Sequence, residues 1–394
     1  MGASKPNKWI SKMQGWDGAV RKDYNPFAHV LTSQSPSLNF TFGRSHGLPK
    51  GYTMVAYGPP KGGKSVVANS FIGQLHADDP DGIALKYDSE FREELQNASL
   101  NTNESIFGID PMRYQAFSIN TPDGIFDKIE TDVSAMCDEG APIRLIIIDS
   151  INQIQGRRQM NNTSVMQQTI GDLALTLQEG FKRILPVQRK HRFGLIVTAH
   201  VRAEMDLQEQ MRGNKTKMGA SYGVQHIAEY FLLVQPVFSK EGNKDELGNA
   251  FEDESKKDML DKAEKTAHKI RVCMKGNSAQ GSAAGRVGEF TFDYKRGIVS
   301  QYEEVFNLGV NRGIIHRPNN LSYVFGDKKW NGKPSFLAAL KDDLAMQRAI
   351  QKVLREEDMK GKLAILADER AQQARNEAID AGEVEVAPAT EAVL

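Results

Sequence analysis

Cysteine is nearly absent from this chain. Cys137 and Cys273 stand in unrelated contexts, without the short spacing of a metal site. Their scarcity argues against a disulfide-held scaffold and a zinc module, and it suits a reducing compartment. Long apolar runs are missing too; none approaches the roughly 20 residues that cross a bilayer. The opening MGASKPNKWISKMQGW lacks the apolar centre of a signal peptide, and Pro6 breaks the myristoylation pattern that Met1 and Gly2 begin. A soluble intracellular protein without a membrane partner is expected. There is no surplus of either charge, because 50 Lys and Arg balance 50 Asp and Glu. Bulk neutrality does not exclude nucleic acid, since what matters is where the positive charge sits. No internal repeat is visible.

What the chain has is 40% hydrophobic residues over 394 positions, ample for one large core with smaller attachments. Short apolar runs recur at Thr53–Tyr57, Ile83–Asp88, Arg144–Asp149, Gly194–His200 and Tyr230–Val234. They are rich in Ile, Val and Leu without polar alternation, as strands buried on both faces are. The pattern predicts an α/β fold with a central, mainly parallel sheet. Val66–Leu75 reads as an amphipathic helix, and Ile170, Leu173, Leu177, Phe181 and Ile184 recur at helical spacing. Lys269–Lys275 and Gly288–Tyr294 alternate and predict later strands with an exposed side. Residues 239–268 are almost wholly polar and predict a solvated insertion. After Arg375 only acidic charges follow, an acidic tail.

Gly58-Pro59-Pro60-Lys61-Gly62-Gly63-Lys64-Ser65 fits GxxxxGK[ST] between a strand and the helix that Val66 opens. Glycines let backbone N–H groups turn toward phosphate oxygens, and a helix N-terminus adds positive potential. Residues Gly58 to Val66 are therefore expected to bind the nucleotide. Lys64 is expected to reach the β- and γ-phosphates of ATP, and Ser65 to ligate Mg²⁺. Asp149 ends a buried strand, where a carboxylate can hold the metal through water, although it could also be an ordinary strand-end residue. Glu90, after the strand that follows the phosphate-loop helix, is the candidate general base; a surface glutamate is the alternative.

Together these segments resemble the RecA family, its phage UvsX-type branch in particular. Pro36–Asn39 and Gly47–Gly51 lead into the phosphate loop as the family's segment does. Tyr87-Asp88-Ser89-Glu90-Phe91, Ile148-Asp149-Ser150 and Ile196–His200 resemble its catalytic-glutamate, Walker B and sensor strands. Asn307–Gly309, Gly313–Ile315, Ser322–Gly326 and Lys329–Gly332 resemble the end of the core. The similarity spans residues 36–355.

The resemblance implies a P-loop NTPase core with an N-terminal oligomerisation arm and a small α-rich C-terminal region. The expected divisions are 1–45, 46–310, 311–373 and the tail 374–394. It makes His200 the γ-phosphate sensor. It makes Lys275 a catalytic lysine that acts across the subunit interface, while Asn277 replaces the family's second lysine and Arg286 is a substitute to consider. The adenine-stacking tyrosine has no counterpart in Phe91–Leu95. Two DNA-binding loops are implied, Gln155–Thr169 with Arg157 and Arg158, and Val201–Gly223 with Arg202, Arg212, Lys215, Lys217 and Gly219. Their bases suit phosphates, and such long unpatterned loops usually carry function. The implied activity is ATP-dependent strand exchange by a helical filament on single-stranded DNA, pairing it with double-stranded DNA. Single-strand binding protein and a loading mediator are implied partners, and the compartment is cytoplasmic, the host's for a phage-encoded chain. A ring-shaped DNA helicase, a non-enzymatic recombination mediator and a regulatory ATPase are the rival readings.

Overall fold

The computed structural model describes residues 25–97, 102–157, 171–203, 216–219, 224, 227–237, 267–277, 284–319 and 321–360. A large sheet organises them. Apart from it, the short strands β1 (Val30–Leu31) and β2 (Leu48–Pro49) pair antiparallel. The large sheet's parallel part consists of β3 (Thr53–Gly58), β4 (Ile83–Asp88), β5 (Tyr114–Ser118), β6 (Ile143–Asp149), β7 (Gly194–Ala203) and β9 (Tyr230–Val237). Beyond β9 the sheet turns antiparallel through β10 (Ala267–Asn277), β11 (Val287–Asp293) and β12 (Gly297–Val299). The spatial order is β12-β11-β10-β9-β3-β7-β6-β4-β5, with the short β8 (Thr216–Met218) paired to the end of β7. The α/β class is as expected, and the sheet is mixed: parallel from β9 to β5, antiparallel from β9 to β12. The antiparallel strands are the ones whose sequences alternate, because a hairpin at the sheet's flank has one face open to water.

Alternation also appears inside the buried strands, where it divides two packing faces instead of core from solvent. Met54, Leu145, Ile147 and Ile196 enter one apolar cluster; Val55, Ile146, Ile148, Leu195 and Val197 enter the other. The first face is covered by α1 (Pro36–Thr41) and α2 (Lys64–Asp78), the second by α6 (Asp172–His191) and the helical turns around Ile125–Val133. Between α2 and α6 the chain adds α3 (Glu93–Asn97), α4 (Asn103–Phe107) and α5 (Ser134–Asp138). Helix α6 buries Leu177, Phe181 and Ile184, as its spacing requires. Helix α2 departs from expectation: Val67 to Gly73, Leu75 and His76 are all buried, and only Ala77 and Asp78 at its end are exposed. The sheet lies below it, α4 packs beside it, and Phe42 at the end of α1 meets Phe71 edge-on.

Leu31, Leu38 and Phe42 belong to the same cluster as β3 and α2, so the residues just before the expected boundary at 45/46 pack into their own chain's core. A third cluster starts at Val305 in α7 (Gln301–Asn311) and joins α8 (Lys333–Asp342) and α9 (Leu344–Met359) through Phe306, Phe336, Leu340 and Ile350. This C-terminal region is not only helical. It contains a three-stranded antiparallel sheet of β13 (His316–Asn319), β14 (Ser322–Phe325) and β15 (Lys328–Asn331). Their charged, largely exposed residues gave no apolar alternation to read. The strand β7 runs to Ala203 and pairs with β8, so part of the expected loop Val201–Gly223 is strand. The polar segment 239–266 and the acidic tail lie outside the described residues; Ala267 and His268 open β10. Among the described residues, no helix is long and apolar enough to cross a membrane.

Two carboxyl groups join the parts. Asp358, near the end of α9, receives Arg286 at 2.7 and 2.8 Å, Arg312 at 2.6 Å and His46 at 2.7 Å. Its burial opposes ionisation, but Arg286 and His46 outweigh it and hold the carboxyl far below the usual range. Arg286, considered above as a trans-acting base, is thus engaged inside its own chain, with its guanidinium 4.5 Å from the Phe40 ring centre. Glu304 of α7 reaches the start of α1, accepting from the Ser35 hydroxyl at 2.6 Å and the Ser37 N–H at 2.9 Å.

Burial pushes the Glu304 carboxyl up to about 8, against the pull of the Ser35 and Ser37 donors. The folded chain therefore holds this proton more tightly than the unfolded chain does. The stabilisation is complete below about pH 4.5 and is lost as pH rises toward 8. Urea denaturation at pH 5, 6.5 and 8 should show the wild type losing stability relative to Glu304→Gln as pH rises. Parallel curves for the two proteins would contradict a neutral buried Glu304.

Candidate functional site

The carboxyl ends of β3, β7, β6 and β4 lie side by side. The chain leaves β3 through α2 and returns in β4, skipping over β7 and β6. Such a jump opens a crevice at the carboxyl edge of the sheet. Register brings Gly58 beside His200 and Asp88 beside Asp149. All the residues expected to act on the nucleotide from one chain, Lys275 excepted, come to this edge.

The turn from β3 into α2 is dictated by lack of side chains. A Cβ on Gly58 would stand 1.9 Å from the Val234 carbonyl oxygen of β9. Gly63 caps α2 with φ of +99°, and a Cβ there would meet Ile270 Cδ1 at 2.5 Å. Only glycine fits both positions. The turn delivers Lys64 and Ser65 to the first turn of α2, where backbone N–H groups lack helical acceptors. Lys64 Nζ donates to the carbonyls of Gly58 at 3.1 Å and Pro59 at 2.8 Å. Burial lowers the pKa of its ammonium, opposed by Asp149 and Glu90.

Asp149 is the junction. Its Oδ2 accepts from Ser65 Oγ at 2.8 Å and its Oδ1 from Thr198 Oγ1 at 2.5 Å. The buried Lys86 stands 3.8 Å from the same carboxylate and 2.7 Å from Glu93 Oε2. Burial disfavours the Lys86 charge, but Asp149, Glu93 and Asp88 outweigh it and hold its pKa above that of an ordinary lysine. The Tyr114 hydroxyl donates to Glu93 Oε1 at 2.6 Å; burial first, then the Glu93 charge, pushes that phenol well up. Thr198, Lys86, Glu93 and Tyr114 were not foreseen. A lysine and a threonine inside apolar strand runs were the available signals.

Glu90 follows β4. The Asp88 carboxylate fixes the turn there by accepting from the N–H groups of Glu90, Arg92 and Glu93 at 3.0, 2.6 and 2.7 Å. Glu90 Oε1 receives Ser150 Oγ at 2.8 Å and pairs with His200 Nε2 at 2.9 Å; Oε2 pairs with Arg92 at 2.9 Å. His200 leads onward. Its N–H donates to Asn152 Oδ1 at 2.7 Å, Asn152 Nδ2 donates to the Gly219 carbonyl at 3.3 Å, and Gly219 N–H returns to the His200 carbonyl at 2.7 Å. The candidate base is thus linked by two residues to the segment beyond β8.

A cavity of about 300 Å³ opens over this edge, lined by Lys61 to Val66, Glu90, Arg92, Asp149 and His200. His268 of β10, Phe292 of β11 and Tyr294 just past β11 complete the lining. These aromatic residues were missed, because nothing in the alternating strands tells which sheet edge they reach. Lys275 lies exposed on β10 and is not part of this lining. Arg157 donates to Asp123 at 3.3 Å, while Arg202 is exposed near the end of β7. Lys217 falls in β8. Arg158, Arg212 and Lys215 lie outside the described residues. Among the described residues, no group of three or more His, Cys, Asp or Glu side chains forms a metal cage. The Ser65 hydroxyl and Asp149 carboxylate, in contact, instead make a small hard-oxygen set. That suits Mg²⁺, which binds a few protein oxygens and takes the rest from phosphate and water.

No protein-family model matches the chain. The chain is similar to Protein RecA of Gloeobacter violaceus, with 22% identity over 358 residues, 89% of this chain and 85% of that protein. Protein RecA of Oleidesulfovibrio alaskensis is 22% identical over 346 residues, 86% of each chain. Protein RecA of Methylococcus capsulatus is 20% identical over 356 residues, covering 89% and 88%. The chain is therefore distantly homologous to RecA proteins across most of its length, with a mixed α/β sheet consistent with a RecA-like core.

The buried Lys86 makes a stability test. Lys86→Met strands Glu93 and Asp149 without their cation and should cost about 3–5 kcal/mol in urea denaturation. Adding Glu93→Leu should restore part of that loss. A Lys86→Met variant as stable as wild type would contradict the buried ion network.

Proposed function

We propose, from the distant homology to RecA proteins, that this chain is an ATP-dependent DNA recombinase of the UvsX-type branch. The observation that carries the reading is the convergence of Lys64, Ser65, Glu90, Asp149 and His200 on one cavity at the sheet's carboxyl edge. ATP lies with its phosphates along the turn Gly58–Val66, and Lys64 leaves the Gly58 and Pro59 carbonyls for the β- and γ-phosphates. Ser65 and Asp149 would hold Mg²⁺, which would neutralise charge on the phosphates. Glu90 accepts a proton from the attacking water as the bond from the γ-phosphorus to the bridging oxygen breaks, giving ADP and phosphate. His200 senses the γ-phosphate. Its route through Asn152 to Gly219 carries that state to the DNA-binding segments, an order–disorder or positional switch of the kind nucleotide enzymes use.

In this reading Arg157, Arg158, Arg202, Arg212, Lys215, Lys217 and Gly219 grip the DNA backbone, while base pairing supplies sequence identity. Lys275, exposed and away from its own cavity, acts on the neighbouring subunit's nucleotide in a helical filament. Residues 1–45 form a packing element between subunits, although Leu31, Leu38 and Phe42 tie its later part to its own core. Residues 46–310 are the ATPase, 311–373 the C-terminal region and 374–394 the acidic tail. The partners are single- and double-stranded DNA, with single-strand binding protein and a loading mediator.

Phosphate release measured with and without single-stranded DNA tests the chemistry. Lys64→Ala should abolish turnover, and Glu90→Gln should lower it by about 10²–10⁴-fold while still binding ATP and DNA. Wild-type rates in either variant would remove that residue from its role. Electron microscopy with single-stranded DNA and a slowly hydrolysed ATP analogue should show helical filaments. Closed rings with unwinding would favour a helicase, and DNA binding without turnover a mediator.

A further inference from the structure

Arg92 is a cation that the phosphate-loop reading leaves without work. It lines the cavity with Lys61, Lys64 and Ser65, and its guanidinium pairs with Glu90 Oε2 at 2.9 Å. The side chain is 67% exposed, whereas that of Glu90 is 10% exposed. Glu90 is therefore held from two directions. Ser150, just past β6, and His200, within β7, take Oε1; Arg92, the outermost of the three, takes Oε2.

The surroundings show which of these groups can move. The backbone of Arg92 is fixed, because its N–H and those of Glu90 and Glu93 all donate to the Asp88 carboxylate. Glu93, next in the chain, is anchored by Lys86 and Tyr114. The long Arg92 side chain projects beyond this fixed turn with most of its surface in water. Among the described residues its one ion pair is with Glu90, open to water on the arginine's side, and such pairs are weak. Lys64 and Arg92 share one cavity and are close enough for Arg92 to oppose the lysine's charge. Two cations on one rim favour a polyanion between them, and a guanidinium matches phosphate oxygens with paired donors.

Resting on the ATPase reading above, we infer that Arg92 distinguishes triphosphate from diphosphate by exchanging the Glu90 carboxylate for the terminal phosphate. The exchange frees Glu90 Oε2 to receive the proton of the attacking water. Glu90 keeps Ser150 and His200 on Oε1, so it stays aimed while its other oxygen becomes available. The base is thereby released by the substrate it acts on, and bound ADP, which lacks the terminal phosphate, leaves it held by Arg92. The exchange needs no bond to break; its driving force is the difference in Arg92's affinity for the two anions.

Isothermal titration with Mg²⁺ and either a non-hydrolysable ATP analogue or ADP tests this on the full chain. Arg92→Gln should weaken the analogue by about tenfold or more while changing ADP by less than about twofold. Arg92→Lys should fall between, because an ammonium keeps the charge but loses the paired donors. Glu90→Gln should tighten the analogue more when Arg92 is present than when it is Gln, because the carboxylate then no longer competes for the guanidinium. Equal weakening of both nucleotides, or none, would overturn the inference, as would additivity of the two substitutions. A wild-type chain that binds neither nucleotide would instead sink the ATPase reading itself. Arg92 is exposed, so unchanged circular dichroism is expected for both Arg92 variants.

Discussion

The Asp149 carboxylate is the point through which the rest of the site is assembled. It joins Ser65 at the start of α2, Thr198 in β7 and, at longer range, Lys86 in β4, while itself ending β6. Four elements of the sheet's carboxyl edge are thus tied by one charge. A buried carboxylate is costly unless donors and a counter-charge meet it. Lys86 supplies the charge, and Lys86 in turn is satisfied by Glu93, so the requirement spreads to the turn that carries Glu90 and Arg92. The same electrostatic constraint that keeps the sheet edge folded also places the candidate base.

The C-terminal region is attached by a different device. Asp358 gathers Arg286, Arg312 and His46, and Phe40 packs beneath the two guanidinium groups. Glu304 reaches α1 with its neutral form favoured. One joint is built from opposite charges and the other from hydrogen bonds to a buried acid. They respond to pH in opposite directions: acid weakens the first and strengthens the second.

Much of the core could be read from residues alone. The runs ending at Asp88 and Asp149 became strands within a residue of the expected bounds, because continuous Ile, Val and Leu with a strand-end Asp have few other homes. The glycine turn between β3 and α2 was legible because Gly58 and Gly63 occupy places that admit no side chain. Helix α2 was misjudged as one-sided, since periodicity cannot reveal that the faces away from the sheet are covered by α1 and α4. The strands β13 to β15 escaped notice because β13 and β15 are charged and largely exposed, so the apolar β14 between them has no alternating neighbour to mark a sheet. Lys86, Thr198 and Tyr294 were missed for a shared reason. Each belongs to the site through neighbours distant in sequence, and strand order, which sequence pattern leaves open, decides who those neighbours are.

Whether the glycine turn, Lys64 and the Ser65–Asp149 pair form a triphosphate cradle is best decided by a crystal structure with Mg²⁺ and a non-hydrolysable ATP analogue. The phosphates should follow the amides of Gly62 to Ser65, Lys64 should have left the Gly58 and Pro59 carbonyls, and the metal should stand between Ser65 and Asp149. Nucleotide bound elsewhere, with Lys64 still donating to those two carbonyls, would contradict the account.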